Sequence, residues 1–187
     1  MKPDRPVARR GDYTFRECGP AVARSLVEAH HYSKSCSHRA FSICAFRGDE
    51  PIGVAQILPP LPPAAKKHAR TDPKRVRVLT RLVVVPGEPQ NAAGMLIAAL
   101  LHQLRREGRY DRVLTYADMA QGHTGVVYRA TNAKFLGMSE PEPYWVDLAS
   151  GVRVSRKSTV SRTNAQMRAL GCEQRVSPGK YIFAWDL

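Results

Sequence analysis

A strand–helix–strand run in the middle of the chain constrains the fold more than any other feature. Val76 to Val85 reads VRVLTRLVVV, β-branched and almost continuously apolar at its end, the pattern of a strand buried on both faces. Pro86-Gly87-Glu88-Pro89 breaks it. Gln90 to Arg106 then sets Met95, Leu96, Ala99, Leu100, Gln103 and Leu104 along one broad helical face. Arg112 to Ala117 (RVLTYA) is the next buried strand, and it ends at Asp118. Such a unit needs a sheet with helices laid against it.

The flanks extend the sheet. Tyr13 to Cys18 predicts a first strand, and Pro20 opens a helix running to His31, because its missing N–H is not needed in a first turn. Tyr32 to His38 is a polar loop. Ala40–Phe46 and Ile52–Leu58 predict a hairpin around Gly48-Asp49-Glu50-Pro51. The prolines of PPLPP stop the sheet, since proline cannot donate to a central ladder. Later come a short helix over Gly125–Ala133, a strand over Tyr144–Leu148, a helix near Asn164–Leu170 and a last strand over Tyr181–Trp185. The reading is an α/β (α+β) fold: one domain over 1–187, a mixed central sheet flanked by helices, a basic segment at 64–81 and a basic elaboration at 150–175. This order of elements resembles the GNAT acyltransferase superfamily. There a splayed strand pair takes the donor's pantetheine arm, and the loop before the central helix cradles its pyrophosphate.

Charge narrows the function. The 187 residues carry 29 Lys and Arg against 16 Asp and Glu, a net charge of +13, which favours a polyanionic partner. The basic residues cluster: Lys66, Lys67, Arg70, Lys74, Arg75, Arg77 and Arg81 face one acid, Asp72, and a second group includes Arg153, Arg156, Lys157 and Arg162. Of these, Lys66, Lys67, Arg70, Lys74, Arg75, Arg156, Lys157 and Arg162 are the expected DNA contacts. No apolar run approaches the ~18 residues of a membrane span, and the N-terminus has no apolar stretch of a secretory signal. Cys18, Cys36, Cys44 and Cys172 form no CxxC pair, and the reading is reduced, mostly buried thiols in a cytosolic protein rather than a zinc finger.

Three segments carry candidate chemistry. The first is the loop before the central helix, where Val84, Gln90, Asn91, Ala93 and Gly94 would face a coenzyme A-like donor. Ala93 and Met95 stand where the acyltransferase loop has small residues, and backbone amides need that space to reach phosphate oxygens. The second is His30-His31-Tyr32-Ser33, at a helix-to-loop switch. It supplies imidazole and phenol for acid–base work or metal ligation, or packs as structure. The third is Tyr116-Ala117-Asp118 with Gln121-Gly122-His123-Thr124-Gly125 and Tyr128. Asp118 sits where ligands bind in open α/β sheets, and it also fits a helix cap.

These residues carry a family resemblance. His31-Tyr32-Ser33 after the first helix, Arg81–Pro86 (RLVVVP) before the central helix, and Tyr116–Gly137 (YADMAQGHTGVVYRATNAKFLG) resemble the Mom family of phage DNA-modification proteins, from about Tyr13 to Gly137. The resemblance implies a GNAT-like fold and conversion of adenine in DNA to N6-carbamoylmethyladenine, which protects phage DNA from host restriction in the host cytoplasm. It implies catalytic roles for His31, Tyr32, Asp118 and Tyr128, and an iron requirement. His31, Tyr32 and Asp118 would then be an N/O ligand set for Fe2+. Fe2+ and acetyl-CoA or a related donor are the candidate cofactors; the expected partner is double-stranded DNA with the adenine flipped out; a homodimer is compatible. Two other readings compete. A GNAT N-acetyltransferase acting on a small amine or protein predicts tight acetyl-CoA binding. A non-catalytic DNA-binding protein predicts binding unchanged by Asp118→Asn.

Overall fold

The computed structural model describes residues 7–154 and 159–187. They group into two compact units. The first comprises residues 7–116, 125–136 and 182–187, and the second residues 117–124, 137–154 and 159–181.

The first unit is built on a mixed sheet. Its strands are β1 (Thr14–Glu17), β2 (Phe41–Arg47), β3 (Glu50–Leu58), β4 (Val76–Val84), β5 (Arg112–Asp118), β6 (Lys134–Met138) and, after β7 (Glu142–Asp147) and β8 (Cys172–Ser177), the strand β9 (Lys180–Asp186). The order across the sheet is β1-β2-β3-β4-β5-β9-β6. β1 to β4 pair antiparallel, and β4 pairs parallel to β5. Helices α1 (Pro20–His30), α2 (Pro62–His68), α3 (Ala92–Glu107) and α4 (Val126–Ala130) belong to this unit.

Side-chain alternation sends successive residues of β2 to opposite faces. Ile43 and Ala45 join a core with Leu96, Ile97, Leu100, Leu101 and Leu104 of α3. Cys44 and Phe46 join one with Ala23, Leu26 and Val27 of α1. A third cluster gathers Val76, Val78, Leu114 and Ala184, with Ala69 beyond the end of α2. Gly53 is required where α3 lies closest. A Cβ there would come within 2.8 Å of the Val83 carbonyl oxygen and 3.3 Å of a Leu96 methyl.

The expected strands and helices are present with ends shifted by a few residues. Three elements are additional. α2 begins on Pro62 and Pro63, which a first turn accepts although the same residues bar a strand. β6 begins where α4 stops: Thr131 Oγ1 folds back on the carbonyls of Val127 and Tyr128, and Asn132 turns left-handed at φ 62°. β8 lies in the basic C-terminal stretch. The expectation of four reduced thiols is corrected. Cys18 and Cys44 form a disulfide, while Cys36 and Cys172 are free. The cause is register: Arg16 pairs with Cys44, so Cys18 falls diagonally across from it, with the Cα atoms 5.7 Å apart.

The second unit holds β7 and β8 as an antiparallel pair, with helix α5 (Asn164–Ala169). Trp145, Met167 and Cys172 form its core, with Val154 against it. Thr163 caps α5 by accepting from Gln166 N, and Gln166 returns a bond from Thr163 N. Among the described residues, no helix is long and apolar enough to cross a membrane.

Asp186 ties the first unit together near the end of β9. It accepts from Arg112 of β5 at 2.9 and 2.8 Å and from Lys134 of β6 at 2.9 Å, while Arg112 also reaches the His68 carbonyl of α2. Burial pushes the Asp186 carboxyl up. The hydrogen bonds from Lys134 and Arg112 outweigh burial in sum, and its pKa ends below the ordinary value. A depressed carboxyl adds stability above the unfolded-state pKa, and that stability is lost as pH falls through the folded value. Asp186→Asn is expected to cost about 1–3 kcal/mol at neutral pH and to make acid unfolding shallower. Urea melts between pH 2 and 7 measure both.

Candidate functional site

The first unit's site begins where two parallel strands part. β4 and β5 pair from Val76–Arg112 to Leu79–Thr115. Beyond Leu79, β4 stays paired to β3 as far as Val84 but runs without β5. The expectation that β4 is buried on both faces therefore holds for its first half: Thr80, Arg81 and Leu82 are half-buried. The opening carries polar groups on both sides. Thr115 is fully buried at the last pairing position and donates to the Leu79 carbonyl at 3.4 Å. Thr80 Oγ1 donates to the Gln56 carbonyl at 3.3 Å.

Tyr128 reaches this point from α4. Its phenol shares a hydrogen bond with Thr115. Its ring lies edge-on to Trp185 at 5.7 Å and tilted to Phe183 at 5.7 Å. Gly125, at φ +75°, starts α4 pressed on Phe183, where any Cβ would overlap the ring. Burial raises the Tyr128 pKa above its ordinary value, with the Thr115 bond opposing. Burial alone raises Tyr116. At neutral pH Tyr128 is thus a phenol that donates a proton, not a phenolate that takes one.

His31 and Tyr32 sit on the other flank. α1 closes with the His31 N–H on the Val27 carbonyl at 2.9 Å, and the chain leaves in extended conformation. The two rings stack at 4.3 Å, with Tyr32 half exposed. The loop is fixed to β4 and β3: Arg81 Nε donates to the Ser35 carbonyl at 2.7 Å, and Cys36 Sγ donates to Gln56 Oε1 at 3.4 Å. So the loop stands over the half of β4 that has left β5. His31 Nδ1 accepts the Ser33 backbone N–H at 3.1 Å and lies 2.9 Å from Ser33 Oγ. With Nδ1 an acceptor, the neutral ring carries its proton on Nε2.

Asp118 lies in the second unit. It is 8% exposed, and its Oδ1 accepts from Ala120 N at 3.1 Å, capping a single 3-10 turn over Met119–Gln121. Its Oδ2 is 3.7 Å from Lys180 Nζ. The Asp118 carbonyl accepts from His123 N at 3.1 Å, closing the Gln121–His123 loop on the same residue. The cap is therefore real, and it leaves one carboxylate oxygen facing only an ammonium.

Two expected groups meet a less suitable geometry. A coenzyme A pyrophosphate would approach the start of α3, but the chain's own N-terminal segment lies there. Asn91 accepts from Ala8 N at 3.0 Å and donates to the Ala8 carbonyl at 2.8 Å. Glu88, in the same loop, is a nearly buried carboxylate bonded to the Tyr13 hydroxyl and to Arg47, each at 2.6 Å. Gln90, Asn91 and Gly94, with Met95, line a groove of about 870 Å³ between α3 and α4. Val84 and Ala93 are not among its lining residues. This loop does not fit a pyrophosphate. Nor does His31 fit as an iron ligand through Nε2, because ligation there needs the proton on Nδ1, where Ser33 N already donates.

The expected DNA contacts divide. Lys66, Lys67 and Lys74 are exposed. Arg70 lies 3.8 Å from Asp186, and Arg75 3.5 Å from Asp111, each with its side chain about half exposed. Arg162 lines a cavity of about 310 Å³ in the second unit, beside Arg153 stacked on Tyr144 at 4.6 Å. Arg156 and Lys157 lie outside the described residues. Two aromatic rings that could have been offered to a base are used by the fold: Trp145 fills a core and Phe41 packs against another. Sequence reasoning did not single out Thr115 or Phe183, and it read Arg81 and Lys180 only as members of basic clusters. Thr115 and Arg81 carried a signal, a hydroxyl and a charge inside otherwise apolar strands.

The architecture is that of the GNAT acyltransferases. An IAA acetyltransferase from Bacillus cereus superposes with a TM-score of 0.55 at 12% identity, covering 94% of this chain and 99% of that one. A Bacillus subtilis acetyltransferase solved in complex with CoA gives 0.54 at 13% identity, covering 94% and 97%. Within that architecture the sequence is more specific: the Mom protein family model matches residues 12–180, and the chain belongs to that family. A curated relative, the methylcarbamoylase Mom of Escherichia phage Mu, is 28% identical over 130 residues. That match takes in 67% of this chain and spans about half, 54%, of the relative's length.

Two measurements follow from the site. A long-range proton–nitrogen NMR spectrum is expected to show His31 protonated on Nε2, and unchanged when ferrous iron is added anaerobically. Tyr13 also has a raised pKa, first through burial and then through its bond to Glu88. Raised tyrosines give stability that is whole below the unfolded-state pKa of about 10 and falls as pH rises through the folded values. Tyr128→Phe is expected to lessen that alkaline decline, read from urea melts between pH 8 and 11.

Proposed function

We propose that this protein is a transferase that modifies the exocyclic amine of adenine in phage DNA, giving N6-carbamoylmethyladenine and shielding the DNA from host restriction. The observation that carries the reading is the placement of Tyr128, packed on Phe183 and Trp185 where β4 and β5 part. It puts a protonated phenol, from the Tyr116–Gly137 stretch that resembles the family, at the sheet's opening. The family membership and the phage Mu relative support the substrate.

The chemistry distributes as follows. Adenine N6 is a poor nucleophile because its lone pair is delocalised into the ring. Asp118 takes the N6 proton as the new N–C bond forms and the bond from the transferred carbon to the donor's leaving group breaks. Tyr128 and the Nε2–H of His31 are neutral donors, suited to stabilising the leaving group or the carbonyl of the transferred unit. Tyr32, half exposed and stacked on His31, presents a ring on which a base can stack. The exposed Lys66, Lys67 and Lys74 supply phosphate contacts.

The test is nucleoside mass spectrometry of plasmid DNA from bacteria expressing the chain. A new adenine nucleoside, with CH2CONH2 in place of one hydrogen, is expected. Asp118→Ala should abolish it, and Tyr128→Phe should lower it about a hundredfold. Unmodified DNA from cells rich in folded wild-type protein would overturn the reading.

A further inference from the structure

Tyr128 is not an isolated ring. Its ring contacts that of Phe183 at 5.7 Å, and Phe183 contacts that of Phe135 at 5.4 Å. Phe183 is fully buried, whereas Phe135 is 50% exposed on β6, the outermost strand of the sheet. The Arg129 guanidinium lies over both outer rings, 5.7 Å from Phe135 and 5.4 Å from Phe183. Tyr128 and Arg129 are consecutive on α4, so one short helix sends a phenol inward and a guanidinium outward.

A single exposed phenylalanine is ordinary and carries nothing by itself. Here the exposed ring is coupled through one buried ring to the site's acid, and an arginine is held against it. A flat apolar face beside a guanidinium, on a chain of net charge +13, suits a nucleobase flanked by phosphates.

The geometry points to Phe135 and Arg129 as the DNA-opening surface: Phe135 enters the base stack and holds the gap left by the extruded adenine, while Arg129 steadies the neighbouring strand. This rests on the DNA-modification reading above. It adds how the duplex is opened, and it requires no donor. Extrusion costs a few kcal/mol of unpairing and unstacking, and an inserted apolar side chain offsets part of that cost. A lost wedge therefore matters for paired adenine and little for adenine already unpaired.

The experiment uses the full chain, without donor, on duplexes carrying 2-aminopurine in all flanking contexts. Wild type is expected to raise 2-aminopurine emission on binding. Phe135→Ala should cut that rise about tenfold while leaving duplex affinity within about threefold, and Phe135→Trp should retain it. With 2-aminopurine opposite an abasic site, wild type and Phe135→Ala should give equal emission. Thermal melts confirm that the variants fold, since Phe135 is half exposed. An undiminished rise in Phe135→Ala, or an equal loss on paired and abasic duplexes, overturns the proposal. Wild-type binding without any rise overturns it and leaves DNA binding standing. Absence of DNA binding overturns it together with its basis, which the plasmid nucleoside measurement tests independently.

Discussion

The first unit depends on the early parting of two parallel strands. β4 and β5 share only their first four residue pairs. From there β4 keeps one neighbour, and the backbone edge facing the gap has lost its ladder. Exposed sheet edges are normally covered, because unpaired N–H and C=O groups are costly when buried. Here the cover is chemical. Arg81 donates to the Thr80 and Ser35 carbonyls, drawing the His31–Ser35 loop across β4, while Tyr128 closes on Thr115 from the far side. The opening is both the sheet's weak point and the place where the candidate side chains His31, Tyr32 and Tyr128 collect.

The groups on its two flanks share a polarity. Tyr128 is a phenol whose pKa burial has raised, and His31 carries its proton on the nitrogen away from Ser33. Both are neutral donors, able to meet negative charge as it develops. The Tyr128 phenol already holds its proton, and the His31 Nδ1 lone pair is engaged by the Ser33 N–H. An acceptor has to come from elsewhere in the chain. Asp118, in its capped turn, holds one carboxylate oxygen on the Ala120 N–H and has the other 3.7 Å from the Lys180 ammonium. That division of labour underlies the proposed reaction.

Much of this was legible in the sequence. Apolar periodicity located β4, α3 and β5, because burial on a parallel sheet leaves a continuous signal. Asp118 was found because it ends a buried strand, and Tyr128 because it follows the glycine-flanked His123-Thr124 loop. What could not be read were consequences of register and three-dimensional closure. The Cys18–Cys44 disulfide depends on which residue of β2 faces Arg16. The Asn91–Ala8 pairing joins residues 83 positions apart. Arg70 and Arg75 look in sequence like their exposed neighbours Lys66 and Lys74, yet in the fold they lie beside Asp186 and Asp111. Charge counts a surface without telling which cations already face an acid.

The place of β9 bears on how the molecule is made. The latest strand in sequence sits between β5 and β6, with Phe183 and Trp185 against α4 and Asp186 joining three elements. A nascent chain emerging from the ribosome can form β1 to β4 and the helices on them from contacts already present. β5 and β6 then wait as open edges until β9 emerges. Such long-range pairing folds slowly and exposes apolar strands meanwhile. The aromatic support of Tyr128 arrives last, so the reactive end of the sheet is assembled only after synthesis has passed the strand that completes it.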